Sequence, residues 1–164
     1  QLYVYLMNNI CCLTFKDINE AAHIHKESLE EHWTLPIFQE ILEDPACGSY
    51  CIKNAKGLRA FLIYRRLPDN VLEILTFVVR KIDRNKGLGR FLLTSFIKQH
   101  MCERIEKIIL EVRENNQVAK HLYESLGFEI EGRRKNLYTI QNGTKQDALL
   151  LKLNLKNNKI ILAL

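Results

Sequence analysis

Residues 84–89, Arg-Asn-Lys-Gly-Leu-Gly, join an apolar run at 71–79 to a second run, 87–101, whose apolar residues recur at helical spacing. A strand that enters a helix through two glycines leaves several backbone N–H groups without partners at the positive end of the helix dipole. Such a turn binds anions, and phosphate is the commonest of them. Glycine pairs also occur in turns that bind nothing, so this turn alone predicts an anion site without specifying the anion.

The length and composition predict one soluble domain. The 164 residues, 47% of them hydrophobic, are enough for a single full core, which we expect over residues 10–155. A net charge of +5 suits acidic partners such as nucleotide cofactors or RNA, and it equally suits simple solubility, because the 24 basic and 19 acidic residues are mixed. No apolar run approaches the roughly 18 residues of a membrane span. The five cysteines form no paired C-x2-C set, which disfavours structural zinc and favours reduced thiols in a cytoplasm.

The two ends of the chain fall outside this expected domain. Residues 1–6 are apolar but lack the basic leader and cleavage site of an export signal. We expect residues 1–9 to form an N-terminal extension, and Met7 offers an alternative start that would make residues 1–6 an appendage; a native extension is the other interpretation. Residues 156–164 form a C-terminal tail of ambiguous pattern.

Hydrophobic periodicity predicts helices and strands within residues 10–155. Strands are predicted at 10–15, 49–53, 58–67, 71–79, 107–112, 128–131 and 148–155, and helices at 17–31, 34–43, 87–101 and 116–126. The helix at 87–101 has the length of a crossover, so its flanking strands should be parallel neighbours. Gly127 follows the last helix where a left-handed residue is wanted, and residues 141–143 mark the last turn. The nearby His23, His25 and His32 lack further ligands in register, so we expect scattered imidazoles, at the surface or half-buried, without a metal.

Two common phosphate-binding motifs do not fit the glycine turn. A Walker A loop places its lysine after the second glycine, whereas here Lys86 precedes the glycines and Arg90 follows them. A dinucleotide fingerprint needs a third glycine where Leu92 stands, although Glu111 lies about twenty residues on, where the ribose-binding acid would be. Both classes of nucleotide-binding protein are therefore disfavoured.

The remaining pattern, Arg-x-x-Gly-x-Gly between a strand and a helix, resembles the pyrophosphate-binding motif of the GCN5-related N-acetyltransferases (GNAT). Residues 110–128, LEVRENNQVAKHLYESLGF, are similar to the L-E-V-R-x-x-N-x-x-A-x-x-L-Y-x-x-L-G-F signature of the bacterial RimI branch, which acetylates the N-terminal alanine of a small-subunit ribosomal protein. The resemblance is specific over residues 71–153 and looser over 10–70. Further matches are Trp33-Thr34, Arg134, Asn136, Tyr138, Gly143 and Asp147-Ala148.

The chain departs from the family pattern at four positions. Lys81 and Asp83 stand where a proline and an aromatic residue are usual. Leu137 replaces one tyrosine of the later segment, and Thr139 replaces its proline. These departures concern the acceptor loop and leave the cofactor turn intact.

The resemblance implies the GNAT fold, an α+β (α/β three-layer) architecture with a mixed central sheet of about six to seven strands flanked by helices. It also implies acetyl-CoA as cosubstrate, with no metal. The strand backbone at Phe77, Val78 and Val79 would pair with the pantetheine arm, although buried sheet is the alternative. Asn116 is equally a cofactor contact or a helix N-cap. The implied pyrophosphate contacts are Arg84, Asn85, Lys86, Gly87, Leu88, Gly89 and Arg90.

The same resemblance implies two catalytic residues. Acetyl transfer needs a neutral amine and a proton for the departing thiolate, and an α-ammonium with a pKa of about 8 is mostly charged at pH 7. By resemblance, Glu111 is the general base, directly or through a water, and Tyr123 is the general acid. Spacing alone would make Glu111 a solvent-facing strand residue and Tyr123 a packed helical residue. Trp33, Arg134 and Tyr138 are the implied acceptor contacts.

The implied function is a cytoplasmic protein N-terminal alanine acetyltransferase, expected to be a monomer, whose partner is the N-terminus of a ribosomal protein and not nucleic acid or a membrane. A second hypothesis keeps the fold and cofactor but changes the acceptor to a lysine side chain, a polyamine or a drug amine; the basic segment 133–135 favours a peptide over a polyamine. A third, a non-catalytic acetyl-CoA or RNA-binding module, is disfavoured by the presence of Glu111 and Tyr123 and by the lack of an RNA-binding aromatic signature.

Overall fold

The computed structural model describes residues 10–139, 143 and 145–156. The predictions made for residues 1–9, for Gln141 and Asn142 and for most of the tail lie outside these described residues. The strands are β1 (Ile10–Cys11), β2 (Cys47–Asn54), β3 (Gly57–Leu67), β4 (Val71–Val79), β5 (Lys107–Arg113), β6 (Glu129–Thr139) and β7 (Lys145–Asn154). The helices are α1 (Ile18–Ser28), α2 (Leu35–Glu43), α3 (Leu88–Met101) and α4 (Gln117–Ser125), and 3-10 turns lie at Phe15–Asp17 and Lys81–Asp83.

The strands of the described residues form a seven-stranded mixed sheet in the order β1-β2-β3-β4-β5-β7-β6. β1, β2 and β3 pair antiparallel, and so do β5, β7 and β6. β4 and β5 are parallel, with Val71 opposite Lys107, because α3 crosses over between them as predicted. The predicted α+β class with a mixed sheet is confirmed.

The chain forms two compact units. The first comprises Gln1–Arg65 and Thr76–Phe96, and the second comprises Arg66–Leu75 and Ile97–Leu164. In the first unit Ile24, Phe38 and Phe61 are at most 1% exposed and form the centre of an apolar core. In the second unit β5 alternates buried and partly exposed residues, because one face of the strand packs against apolar side chains and the other does not.

Several predicted boundaries were wrong for local reasons. β1 was expected to reach residue 15 but stops at Cys11, because Asp17 accepts hydrogen bonds from the N–H and hydroxyl of Thr14 at 2.7 and 2.8 Å and folds the chain into a turn. Asp17 therefore does not cap α1 with its side chain. α1 ends at Ser28 rather than residue 31, since Leu29 is extended.

Other predicted features are present as expected. Thr34 occupies the N-cap of α2 with Pro36 in its first turn, and the helix ends at Glu43. Gly127 has a left-handed φ of +89° after α4. None of the described helices is long and apolar enough to cross a membrane.

Candidate functional site

The glycine turn in the first unit has the backbone geometry of an anion site. Asn85 and Gly87 have positive φ values of +59° and +77°, which turn the chain into α3. The first intrahelical bond runs from the N–H of Phe91 to the carbonyl of Gly87 at 3.0 Å. The N–H groups of Leu88 and Gly89 therefore have no acceptor within the helix. They lie at its positive end, where an anion is stabilised.

The turn also has room for the ligand that the sequence predicts. A methyl group placed on Gly87 would find no atom within 4 Å, so the space beside this backbone is open. Arg84, Asn85, Lys86 and Arg90 are exposed around it. A backbone that is open, left-handed and followed by a helix N-terminus fits a pyrophosphate group.

Two of the turn's cations already bind backbone carbonyl groups. Nε of Arg84 donates to the carbonyl of Val79 at 3.1 Å, and Nζ of Lys86 donates to that of Ile82 at 2.8 Å. These two hydrogen bonds tie the glycine turn to the residues that precede it in the chain. On β4 itself, Val78 is buried, whereas Phe77 and Val79 are partly exposed.

Trp33 lies in the first unit, in the loop between α1 and α2. Its backbone N–H donates to Nδ1 of His25 at 3.0 Å, and its ring stacks on that imidazole with centroids 5.1 Å apart. Since Nδ1 accepts, Nε2 carries the proton and donates to the Thr76 hydroxyl at 3.0 Å. His25 is therefore a buried structural residue, while His23 and His32 are exposed.

In the second unit, Glu111 faces a guanidinium group. Nε of Arg134 lies 3.0 Å from Oε1 of Glu111, and the two side chains are 63% and 24% exposed. Glu111 projects from the partly exposed face of β5, between the buried Leu110 and Val112. Its carboxyl group is thus accessible from solvent and held by one cation.

Tyr123 lies on the buried side of α4. Its ring packs edge-on against Phe128 with centroids 5.4 Å apart, and 6% of the residue is exposed. Burial raises the pKa of Tyr123 well above its ordinary value, and Tyr138 raises it further. Its hydroxyl therefore keeps its proton throughout the neutral range, as a proton donor must.

Asn116 is the N-cap of α4, and its Oδ1 accepts from the N–H of Ala119 at 3.2 Å. Asn116 therefore acts as a helix N-cap, and a contact between Asn116 and the cofactor remains a prediction. Tyr138 lies under the guanidinium of Arg113, 4.9 Å from the ring centroid, which is the distance of a cation–π contact. Among the described residues, no cluster of histidine, cysteine and acidic side chains could hold a metal ion.

The family follows from comparison with known proteins. The acetyltransferase (GNAT) family matches residues 14–128. The chain belongs to the GNAT acetyltransferase family. It is 30% identical over 147 residues to the ribosomal protein bS18-alanine N-acetyltransferase of Escherichia coli (strain K12), and 39% identical over 147 residues to that of Salmonella typhimurium (strain LT2). Each match covers 90% of this chain and 97% of the relative.

The fold comparison agrees with the family. The crystal structure of the ribosomal-protein-S18-alanine N-acetyltransferase from Escherichia coli matches with a TM-score of 0.82 and 27% identity, covering 89% of this chain and 92% of that one. The resemblance to the GNAT family and its RimI branch is confirmed, and so is the acyltransferase fold. The protein is an acetyl-CoA-dependent N-acetyltransferase.

One buried residue next to the glycine turn of this acetyltransferase was not predicted to have a role. Asp83 is 5% exposed and accepts from Nε and Nη2 of Arg59 at 3.1 and 2.9 Å and from Nε of Arg80 at 3.0 Å. Burial by itself raises the pKa of Asp83, but the hydrogen bonds and charges of the two arginines outweigh it, so the pKa lies below its ordinary value. In the sequence, Asp83 was noted only as a departure from an aromatic residue.

A bulge in β6 separates Arg134 from Tyr138, two of the residues that the sequence predicts as acceptor contacts. The pairing of β6 with β7 shifts register between Arg134 and Tyr138. Asn136 lies in the bulge with a left-handed φ of +57°, and its N–H donates to Oδ1 of Asp147 at 2.9 Å. This bond gives Asp147 a structural role, and the left-handed φ of residue 136 is one that asparagine adopts more readily than most residues. β6 therefore continues to Thr139, well beyond the predicted end at residue 131.

Proposed function

We propose that this acetyltransferase moves an acetyl group from acetyl-CoA to the α-amine of a protein that begins with alanine, in particular a small-subunit ribosomal protein. The observation that supports this most directly is the state of two side chains in the second unit. Glu111 presents an accessible carboxyl group beside one cation, and Tyr123 presents a buried hydroxyl that keeps its proton. The relatives named for this reaction support the choice of acceptor.

The chemistry needs a proton removed at one atom and supplied at another. Bound acetyl-CoA supplies an activated acetyl thioester. Glu111 takes a proton from the α-ammonium, directly or through a water, and so frees the nitrogen lone pair. As the new N–C bond forms and the C–S bond breaks, the Tyr123 hydroxyl gives its proton to the sulfur. Glu111 passes this first proton to solvent and takes the second one from the nitrogen as the amide forms. That proton also returns to solvent, and Tyr123 regains one from solvent, so each turnover releases one proton.

The glycine turn holds the cofactor in this proposal and takes no part in proton transfer. The N–H groups of Leu88 and Gly89 bind the pyrophosphate, with Arg84 and Lys86 adding charge. Because the backbone geometry exists before the ligand arrives, little ordering is needed on binding. Asp83 keeps Arg59 and Arg80 in place behind the turn.

A panel of acceptors tests the proposal. The protein is incubated with acetyl-CoA and peptides that begin with Ala, Gly or Ser, with an N-terminally blocked peptide that carries an internal Lys, and with spermidine. Mass spectrometry then locates the acetyl group. We expect one acetyl group on the α-amine, with the Ala peptide modified fastest. Acetylation solely of lysine or spermidine would overturn the proposed acceptor.

Two variants link this activity to the proposed residues. Glu111→Gln and Tyr123→Phe should each lower kcat with the Ala peptide by about 100-fold or more, the usual value of a general base or acid. Neither should change acetyl-CoA affinity much, because both act on protons rather than on the pyrophosphate. Unchanged turnover in both variants, with acetylation intact, would make these residues structural.

A further inference from the structure

The carboxyl group of Glu111 is already paired with the guanidinium of Arg134, and the proposed reaction brings a second cation, the α-ammonium of the acceptor, to the same group. The guanidinium of Arg134 reaches it across β7, because Glu111 pairs with Leu150 on one side of that strand and Arg134 pairs with Ala148 on the other. The arginine is 63% exposed, so it is held chiefly by the carboxyl group 3.0 Å away. This contact is easily exchanged.

Two of the other charged residues near this face have partners of their own. Arg113, two residues along β5, lies over the ring of Tyr138. Arg133, next to Arg134, binds Glu114 and lies 3.6 Å from Asp147. Glu73 projects from β4 opposite Ile109, two residues from Glu111 on β5. Within the described part of the chain, the ion pairs give Glu111 one cationic partner, Arg134.

The α-ammonium of an acceptor must come within hydrogen-bond reach of Glu111 before it can lose its proton. Two cations near one carboxyl group repel each other. An exposed ion pair is weak, so an arriving ammonium can replace the guanidinium at little cost. A neutral or anionic group cannot make that exchange.

We propose that Arg134 is a removable counter-ion, which occupies Glu111 in the free enzyme and is displaced by the ammonium group of the acceptor. This inference rests on the proposed function of Glu111 and adds to it. Arg134 thereby selects cationic amines and competes with them. It is a positioning residue that sets acceptor affinity, and it is not itself a ligand of the acceptor.

The sign of a change in KM tests this inference. Removing the competitor in Arg134→Gln should lower KM for the Ala peptide by about two- to fivefold, the range of exposed ion pairs. KM for acetyl-CoA and kcat should stay the same. Arg134→Lys keeps the cation and should behave as the wild type. Arg133→Gln is the matched control, because it removes the neighbouring guanidinium that binds Glu114 and Asp147, and it should leave the peptide KM unchanged.

A binding measurement gives a readout that does not depend on turnover. Calorimetry in the presence of coenzyme A compares the Ala peptide with the same peptide carrying a propionyl group in place of alanine, which lacks the amine. Arg134→Gln should raise the affinity for the Ala peptide and leave the affinity for the propionyl peptide unchanged. A general structural change would alter both peptides.

The outcomes separate the two proposals. If the wild type acetylates the α-amine and KM for the Ala peptide rises in Arg134→Gln, then Arg134 binds the acceptor directly and the counter-ion role is wrong. An unchanged KM also overturns it. If the wild type acetylates no α-amine at all, the proposed function itself fails, whatever the variants show.

Discussion

Gly87 and Gly89 lie two residues apart in the glycine turn, and their backbone conformations differ. Gly87 has a φ of +77°, a region that costs a residue with a side chain roughly 1–2 kcal/mol. Gly89 is the second residue of α3, where the helix itself accepts alanine. A methyl group on Gly87 would therefore strain the turn, whereas one on Gly89 would act through its bulk beside the proposed pyrophosphate site.

We predict that Gly87→Ala and Gly89→Ala each weaken acetyl-CoA binding more than Arg84→Ala does. The strained turn of Gly87→Ala should relax to another conformation in the free enzyme, and restoring the original conformation on binding corresponds to roughly a 5- to 30-fold loss of affinity. The Arg84 side chain is exposed and already donates to the carbonyl of Val79, so its removal should lower acetyl-CoA affinity less than either glycine substitution does. Titration calorimetry of the free enzyme with acetyl-CoA measures the three affinities.

Gly143 provides a matched control for backbone strain. It has a φ of +78°, and a methyl group there would also find no atom within 4 Å, as at Gly87. Gly143→Ala should therefore cost similar strain and leave acetyl-CoA affinity unchanged. If Arg84→Ala causes the largest loss, the side chain and not the backbone holds the pyrophosphate.

The 3-10 turn of residues 81–83 leads into the glycine turn, and the buried Asp83 holds it through hydrogen bonds from Arg59 and Arg80. The folded state depresses the pKa of Asp83, so the group stabilises the protein above its unfolded-state value near 4. That contribution is lost as the pH falls through the lower folded-state value. Protonation would also leave Arg59 and Arg80 without their charged acceptor.

We predict that Asp83→Asn lowers the free energy of unfolding by about 1–3 kcal/mol at pH 7, because hydrogen bonds to a buried charged group are lost. The difference between wild type and variant should shrink below about pH 4, where the wild-type carboxyl group also begins to lose its charge. Urea unfolding at pH 7, 5 and 3 measures it. Asp69→Asn, at an exposed left-handed position, is the control and should change little. An equal difference at all three pH values would show that charge is not the cause.

The elements differ in how well the sequence predicts them. α3 and β4 were predicted closely, because two glycines and regular apolar spacing mark their ends locally. The length of β6 was not, because the bulge at Asn136 depends on Asp147, eleven residues away in the chain. The pairing of Arg134 with Glu111 likewise depends on the register of three strands, which short-range patterns do not contain.

At the scale of the whole molecule, each unit buries one histidine. In the first unit, burial lowers the pKa of His25 to about 4, with a smaller contribution from the charge of His32. In the second unit, burial lowers the pKa of His100, although Glu103, 3.2 Å away, acts in the opposite direction. The sequence showed where these histidines are but not that they are buried, since burial depends on tertiary packing.

A histidine that stays neutral in the folded protein destabilises that state at low pH. Because the unfolded chain binds the proton more readily, stability is highest above the unfolded-state pKa of about 6.5 and falls as the pH drops towards the folded-state value. For His25 the loss reaches roughly 3 kcal/mol once the pH is near 4. Protonation of Nδ1 also breaks the bond from the N–H of Trp33, because a charged imidazole has no acceptor atom, whereas Nε2 keeps its proton and still donates to the Thr76 hydroxyl.

We therefore predict that the melting temperature of the wild type falls between pH 6.5 and 4.5, and that this fall is smaller in His25→Gln and in His100→Gln. Each variant should have a lower melting temperature than the wild type at pH 7, because glutamine packs less well than imidazole in a buried site. Its melting temperature should fall less on acidification, because glutamine cannot take up a proton. His23→Gln removes an imidazole whose side chain is 70% exposed and should retain the full wild-type slope. Circular dichroism at half-unit pH steps measures the slopes. If the slopes of all three variants equal that of the wild type, carboxyl groups rather than the two buried histidines cause the loss of stability in this pH range.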